Sequence, residues 1–272
     1  MEKYYITTPI YYVNDKPHIG HAYTTILADT ISRFRALIGE KPTFLTGLDE
    51  HGLKVQQAAE KNGKAPQDHC DSMAPAFINL WEKLNINYSD FIRTTEHRHT
   101  KIVQQILTKV HESGDIYMDE YEGWYSISEE RFITEKELDS GQFGQVKQIK
   151  EKNYFFRMSK YQATLIDKIE KDELLIQPKS RKNEVLGFLK NELSDLCISR
   201  PKSRLEWGIE LPFDDNYVTY VWFDALINYI SAIGAYSNDE HFSSLWPADV
   251  HLIGKDILTT HSVYWPTMLL SL

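Results

Sequence analysis

Between Tyr4 and Leu48 the spacing of apolar residues changes twice, and that double change restricts the chain to strand-helix-strand folds. The run Tyr4-Tyr5-Ile6-Thr7-Thr8-Pro9-Ile10-Tyr11-Tyr12 is dense in aromatic and β-branched residues and is bounded by Asn14-Asp15. It reads as a short buried strand running into a loop. From Gly20 onward Tyr23, Ile26, Leu27, Thr30, Ile31, Phe34, Leu37 and Ile38 recur at steps of three and four, one face of a helix, and Gly39 with Pro42 supplies the stop. Thr43 to Leu48 is a second apolar strand. Short connections between these elements predict a right-handed crossover in a parallel sheet, where ligands gather beyond the carboxyl ends of the strands. Tyr12, His18, His21 and Asp49 fall at that end.

His18-Ile19-Gly20-His21 stands where the strand gives way to the helix. A helix amino terminus offers unpaired N–H groups and partial positive charge to an anion, and Gly20 lets a phosphate approach the backbone. Two imidazoles there could donate hydrogen bonds to phosphoryl oxygens as charge builds on them. The spacing also fits a pair of histidines that simply cap the helix, and the tetrapeptide alone does not choose.

A chain of 272 residues suggests two compact units, and a hydrophobic content of 42% fits a soluble globule. There is no run of about 18 apolar residues, and Met1-Glu2-Lys3-Tyr4 does not open a charged-then-apolar leader, so neither a membrane span nor secretion is expected and the cytoplasm is the default. Cys70 and Cys197 are the only cysteines, too few for a disulfide framework or a four-cysteine zinc knuckle. The net charge of −9 argues against indiscriminate nucleic-acid binding. A local basic stripe, Lys179, Arg181, Lys182, Arg200, Lys202 and Arg204, reads either as phosphate contacts or as a solvated face.

The alternation of strands and helices continues with a helix near Pro66 to Leu84, a strand at Asp90 to Thr94 and a helix from His97 to Ser113. Residues 1–115 therefore predict the first half of a doubly wound, Rossmann-like α/β domain. Residues 116–204 read as an inserted α+β domain, with β segments at Tyr121 to Ile127 and Asn153 to Met158 and helices near Tyr161 to Lys171 and Lys182 to Leu193. The α/β pattern returns over residues 205–272 with strands at Tyr217 to Val221 and Val250 to Ile253, a helix near Ala225 to Ile233 and a last helix near Ile257. The apolar end, Val263 to Leu272, predicts a chain cut off inside its fold.

With these motifs placed, the sequence resembles the catalytic part of the bacterial methionyl-tRNA synthetases, class I aminoacyl-tRNA synthetases, over essentially its whole length. The likeness rests on Thr7-Thr8-Pro9-Ile10-Tyr11-Tyr12-Val13-Asn14, Pro17-His18-Ile19-Gly20-His21, Thr46-Gly47-Leu48-Asp49-Glu50-His51-Gly52, Tyr220-Val221-Trp222-Phe223-Asp224-Ala225-Leu226 and Ile253-Gly254-Lys255-Asp256-Ile257, in that order. The resemblance implies that His18, Gly20 and His21 contact the ATP phosphates, with His18 and His21 in the catalytic role. Gly254 and Asp256 would hold the ribose, with help at the nucleotide from Glu210. It gives Asp49 the methionine ammonium and makes Ile10, Tyr12, Trp222, Ala225, Leu226, Tyr229, Ile257 and His261 the side-chain pocket. A thioether suits aromatic walls, each sulfur contact being worth about 0.3 to 1.5 kcal/mol.

Each role has a structural rival: Asp49 as a helix cap, Trp222 and Tyr229 as core, His261 as a satisfied core histidine. Asp224 reads as a structural partner rather than a base. The resemblance further implies two-step aminoacylation with Mg²⁺ on the triphosphate, tRNA(Met) as partner of the full-length protein, and no zinc, since the insert lacks cysteines that bind it in some relatives. Arg157-Met158-Ser159-Lys160 imitates the family's second signature, but that loop is expected after the last catalytic strand, beyond Leu272. Thr259 and Thr260 depart from the bulkier residues expected before His261. Two other readings stay open: a binding module without turnover, and a small-molecule nucleotidyltransferase.

Overall fold

The structure, a computed structural model, describes residues 2–126, 131–133, 138–139 and 144–272. The first part runs β1 (Lys3–Thr7), β2 (Tyr11–Tyr12), α1 (Ile19–Leu37), β3 (Lys41–Asp49), α2 (Leu53–Lys61), α3 (Pro66–Lys83), β4 (Asp90–Arg93) and α4 (His97–Glu112). Next come β5 (Ile116–Ser126), β6 (Arg131–Ile133), β7 (Val146–Phe156), α5 (Gln162–Glu170), α6 (Lys179–Phe188) and β8 (Leu196–Cys197). The last part holds β9 (Ser199–Pro201), β10 (Glu210–Leu211), β11 (Asp214–Thr219), α7 (Val221–Leu226), α8 (Asn228–Ser231), α9 (Asp239–Leu245), β12 (Val250–His251) and α10 (Trp265–Leu270).

The main sheet is parallel. β1 lies between β12 and β3, and β4 pairs with the far side of β3, so the strand order reverses between β1 and β12. Such a reversal opens a crevice at the carboxyl ends of the strands. The run expected as one strand from Tyr4 to Tyr12 is broken. Thr8 still donates to the Leu45 carbonyl at 3.1 Å, but Pro9 has no N–H to continue the ladder, and pairing resumes only at Tyr11↔Leu48 and Tyr12↔Asp49. β3 and β4 approach so closely at Gly47 that a Cβ there would lie 2.0 Å from the Ile92 carbonyl oxygen.

Helix α1 packs on the sheet with the face opposite to its apolar stripe. Thr25, Ala28, Asp29 and Ser32 are buried, whereas Ile19, Tyr23, Phe34 and Leu37 are 87%, 71%, 56% and 85% exposed. Small inward residues let the helix lie close. Asp29 also bridges elements, accepting from Arg33 at 2.7 Å and from the Asn87 backbone at 2.9 Å.

β5 and β7 pair antiparallel from Ile116↔Phe156 to Ser126↔Val146, flanked by β6 and β8. Both strands start earlier than their aromatic segments suggest, and Ile127 lies outside the described residues. β9 pairs with β11 and β11 with β10. Phe156, Leu165 and Val185 share one apolar cluster with Ile92, Ile106, Phe223 and Trp265, so the β5–β8 unit and the parallel sheet are packed on a common core. The helix expected near Ala225 to Ile233 is two pieces, α7 and α8. The helix expected near Ile257 starts as a 3₁₀ turn, Lys255–Ile257, and passes through a π turn, Thr260–Tyr264, before α10. Among the described residues no helix is long and apolar enough to cross a membrane.

Candidate active site

His18 is the N-cap of α1, and it and His21 cap the helix reciprocally: His18 Nδ1 accepts from the Gly20 backbone at 3.1 Å, and His21 Nδ1 accepts from the His18 backbone at 3.2 Å. Capping and anion binding are therefore compatible here. Because both Nδ1 atoms accept, each neutral ring carries its proton on Nε2, leaving that N–H as a donor. The rings stack with centroids 3.8 Å apart. Burial and then the neighbouring His18 push the pKa of His21 down to about 4, so it is neutral near pH 7. Gly20 serves the cap directly, since a Cβ there would sit 3.0 Å from His18 Cε1.

Tyr11, which the sequence reading passed over, buttresses this pair from below. Its ring lies 4.6 Å from that of His21, its hydroxyl meets Thr25 Oγ1 at 2.7 Å, and Phe77 and Trp81 back it. Tyr12 is half-buried and stands in register with Asp49, the buried last residue of β3.

The segment after Asp49 is fixed on both sides. Glu50 accepts from Arg93 Nε at 2.7 Å and from the Thr95 hydroxyl, while His51 meets Asp224 of α7 at 2.5 Å. Gly52, not Asp49, is the N-cap of α2. Asp224 brings with it Trp222, half-buried, and Ala225, Leu226 and Tyr229, all buried.

Tyr229 links the two halves of the sheet. Its carbonyl accepts from the Tyr5 hydroxyl at 2.8 Å and its own hydroxyl meets His261 Nε2 at 2.6 Å. Burial, then the proximity of Tyr11 and Asp49, raises its phenol well above the usual range. His261 Nδ1 meets the Ile257 carbonyl at 3.0 Å, so both ring nitrogens are satisfied, and burial lowers its pKa to about 4. His251, absent from the sequence-derived set, supports the same wall: Thr7 Oγ1 lies 2.7 Å from its Nδ1, Trp265 Nε1 donates to its Nε2 at 3.3 Å, and the Tyr229 ring is 4.4 Å away.

Ile10 is half-buried at the strand break, and Ile257 is half-buried in the turn where Gly254 and Asp256 are exposed. Glu210 stands apart from the histidine pair in its contacts, bonding Lys202 at 2.6 Å and accepting at its carbonyl from Gln104. The basic stripe is largely neutralised. Arg181, Lys182, Lys202 and Arg204 each face a carboxylate, and Arg200 is buried against Tyr125 and Tyr220. Met158 of the decoy signature is buried and Lys160 pairs with Asp115 at 2.7 Å.

The family model described as tRNA synthetases class I (M) matches residues 4–142 and 139–272, which together span nearly the whole chain. The chain belongs to this class I synthetase family. Among curated relatives, the methionine--tRNA ligase of Clostridium tetani is 51% identical over 99% of this chain and 43% of its own length. That of Thermotoga maritima is 49% identical over 99% of this chain and 44% of its own. The chain thus spans less than half the length of these relatives. Among solved structures, Mycobacterium tuberculosis methionyl-tRNA synthetase in complex with methionyl-adenylate superposes with a TM-score of 0.94 at 42% identity, covering 100% of this chain and 55% of that one. The free form of that enzyme gives 0.82 at 40% identity, covering 100% and 53%. Family membership accounts for the Rossmann-like sheet interrupted by a second α+β unit.

Proposed function

We propose that this chain is the methionine- and ATP-binding part of a methionine-tRNA ligase. Residues 1–115 and 205–272 act as the two halves of the catalytic unit, and 116–204 as a connective insert. What supports this reading is a series of contacts: His18 stacks on His21, Tyr11 lies against His21, Tyr12 is in register with Asp49, and Tyr229, paired with His261, feels both Tyr11 and Asp49. Asp49 receives the ammonium. Ile10, Tyr12, Trp222, Ala225, Leu226, Tyr229, Ile257 and His261 enclose the thioether, and Gly254, Asp256 and Glu210 serve the nucleoside.

In the reaction the methionine carboxylate, already ionised, attacks the α-phosphorus of ATP. A P–O bond forms, the bond to the β-phosphate oxygen breaks and pyrophosphate leaves. His18, His21 and the α1 amino terminus stabilise the charge gathering on the phosphoryl oxygens, so the work is positioning and electrostatics without a general base. A terminal ribose hydroxyl of tRNA(Met) then takes the methionyl group and AMP departs, in the cytoplasm and in the full-length protein. Among the described residues no group of three or more His, Cys, Asp or Glu side chains gathers to hold a metal. Mg²⁺ would arrive with the ATP and would offset the triphosphate charge, and no step is assigned to it.

Because the relatives are more than twice as long, binding without turnover is the second reading for the isolated chain. Calorimetry with methionine and leucine, followed by ATP-pyrophosphate exchange, separates the two. Selective methionine binding with exchange supports the ligase chemistry in this chain, and selective binding alone supports the module. Failure to distinguish methionine from leucine sinks both.

A further inference from the structure

Asp224 sits at the centre of a buried chain of four side chains drawn from four parts of the fold. His51 Nδ1, after β3, lies 2.5 Å from Oδ2, and His99 Nε2, on α4, lies 2.6 Å from Oδ1. The other nitrogen of His99 meets Ser231 Oγ, on α8, at 2.8 Å. Asp224 and His99 are wholly buried, and Ser231 and His51 nearly so. Burial by itself would favour the neutral acid, yet the two imidazoles hold the Asp224 pKa down at about 2. The ionised carboxylate therefore accepts one N–H from each ring, and Ser231 Oγ satisfies the far nitrogen of His99.

Burying a charge gains little stability over an apolar cluster of the same volume. A fully bonded polar network does define one geometry. This network defines a particular one. His51 is two residues beyond Asp49, and Asp224 is two residues beyond Trp222 and five before Tyr229, so a single hydrogen bond joins the end of β3 to the α7–α8 wall.

We propose that Asp224, clamped by His51 and His99, is a positioning residue that fixes the separation between Asp49 and the Trp222–Tyr229 wall, coupling recognition of the amino acid's ammonium to recognition of its side chain. The inference rests on the pocket assignment proposed above. Cutting the clamp lets the β3 end drift relative to the wall. A ligand that uses both anchors then loses affinity, while one that uses only the wall does not.

The test compares methionine with 4-(methylsulfanyl)butanoic acid, the same molecule without its amine, by calorimetry on this chain, with thermal melting to verify folding. The variants are His51→Leu, which removes the donor, His51→Asn, whose amide nitrogen stands where Nδ1 stood, and Asp224→Asn, which removes the charge. The unmodified chain should prefer methionine by about tenfold or more, the scale of one charge-assisted hydrogen bond. His51→Leu should cut that preference to about threefold or less with the affinity for the amine-free acid almost unchanged, Asp224→Asn should fall between, and His51→Asn should restore it. Should His51→Leu fail to fold, Asp224→Asn and His51→Asn carry the comparison. Equal weakening of both ligands, or a full preference retained in folded variants, overturns the clamp alone. An unmodified chain that binds neither ligand overturns the pocket assignment and the clamp with it.

Discussion

The Tyr229 hydroxyl and His261 Nε2 lie 2.6 Å apart, and the second ring nitrogen of His261 is held by the Ile257 carbonyl at 3.0 Å. His261 Nδ1–H donates to that carbonyl, so Nε2 accepts from the phenol. Tyr229→Phe leaves Nε2 buried without a donor, at a cost of about 1 to 3 kcal/mol. Urea unfolding should register that loss, and methionine affinity should fall by about tenfold if the pair also shapes the pocket. An unchanged midpoint would show that the hydrogen bond is dispensable.

Acid should weaken the fold through the same histidine. His261 is depressed from 6.5 to about 4 in the folded chain, so the unfolded chain takes up the proton first as pH falls. Its contribution is complete above 6.5 and is lost as pH drops through the folded value. The loss amounts to on the order of 3 kcal/mol. His21 acts in the same direction with less weight because its ring is partly solvated. Melting temperatures followed by circular dichroism should hold steady around neutral pH and decline below about 6.5. A flat profile down to pH 4 contradicts the assignment of a buried neutral imidazole.

At Gly20 a methyl group would press on the His18 ring from 3.0 Å. Gly20→Ala should favour the helix itself by up to about 1 kcal/mol while turning the His18 ring out of its cap. ATP affinity should then fall by about tenfold with no loss of thermal stability, since one oriented donor to phosphate is removed. Unaltered ATP binding in a calorimeter would detach His18 from the nucleotide.

Gly47→Ala tests the sheet rather than the site. The added Cβ would lie 2.0 Å from a backbone oxygen of β4, which cannot rotate away. The strands must separate beneath Asp49, a loss of about 3 kcal/mol or more. Soluble yield and cooperative melting should both collapse, and a normally folded variant would mean that the β3–β4 contact is looser than described.

What was legible in the sequence was mainly local. The period change from β1 to α1, the Gly39-Pro42 stop and the β3 run set the crossover, and the position of His18 at a helix start followed from it. The break at Pro9 was visible in principle as a missing donor. Contacts across long separations were not legible: His51 and Asp224 are 173 residues apart, and nothing local to either marks the other. Likewise His251, set among short strands, shows no pattern that announces its place behind Tyr229. The direction of α1 was hidden for a different reason. Periodicity identifies an apolar face but does not state which side meets the sheet, and here Ala28 and Ser32 meet it instead. Helix α2 lacked a signal because only Val55 and Ala59 of its nine residues turn inward.

The outward stripe of α1 begins at Ile19, directly beside the cap that carries His18. Any surface that shields Ile19 and Tyr23 from water therefore also lowers the dielectric around the paired imidazoles. Attraction between charges strengthens as water leaves. The grip of this end on an anion and the covering of the helix's outer side are accordingly coupled, each strengthening the other.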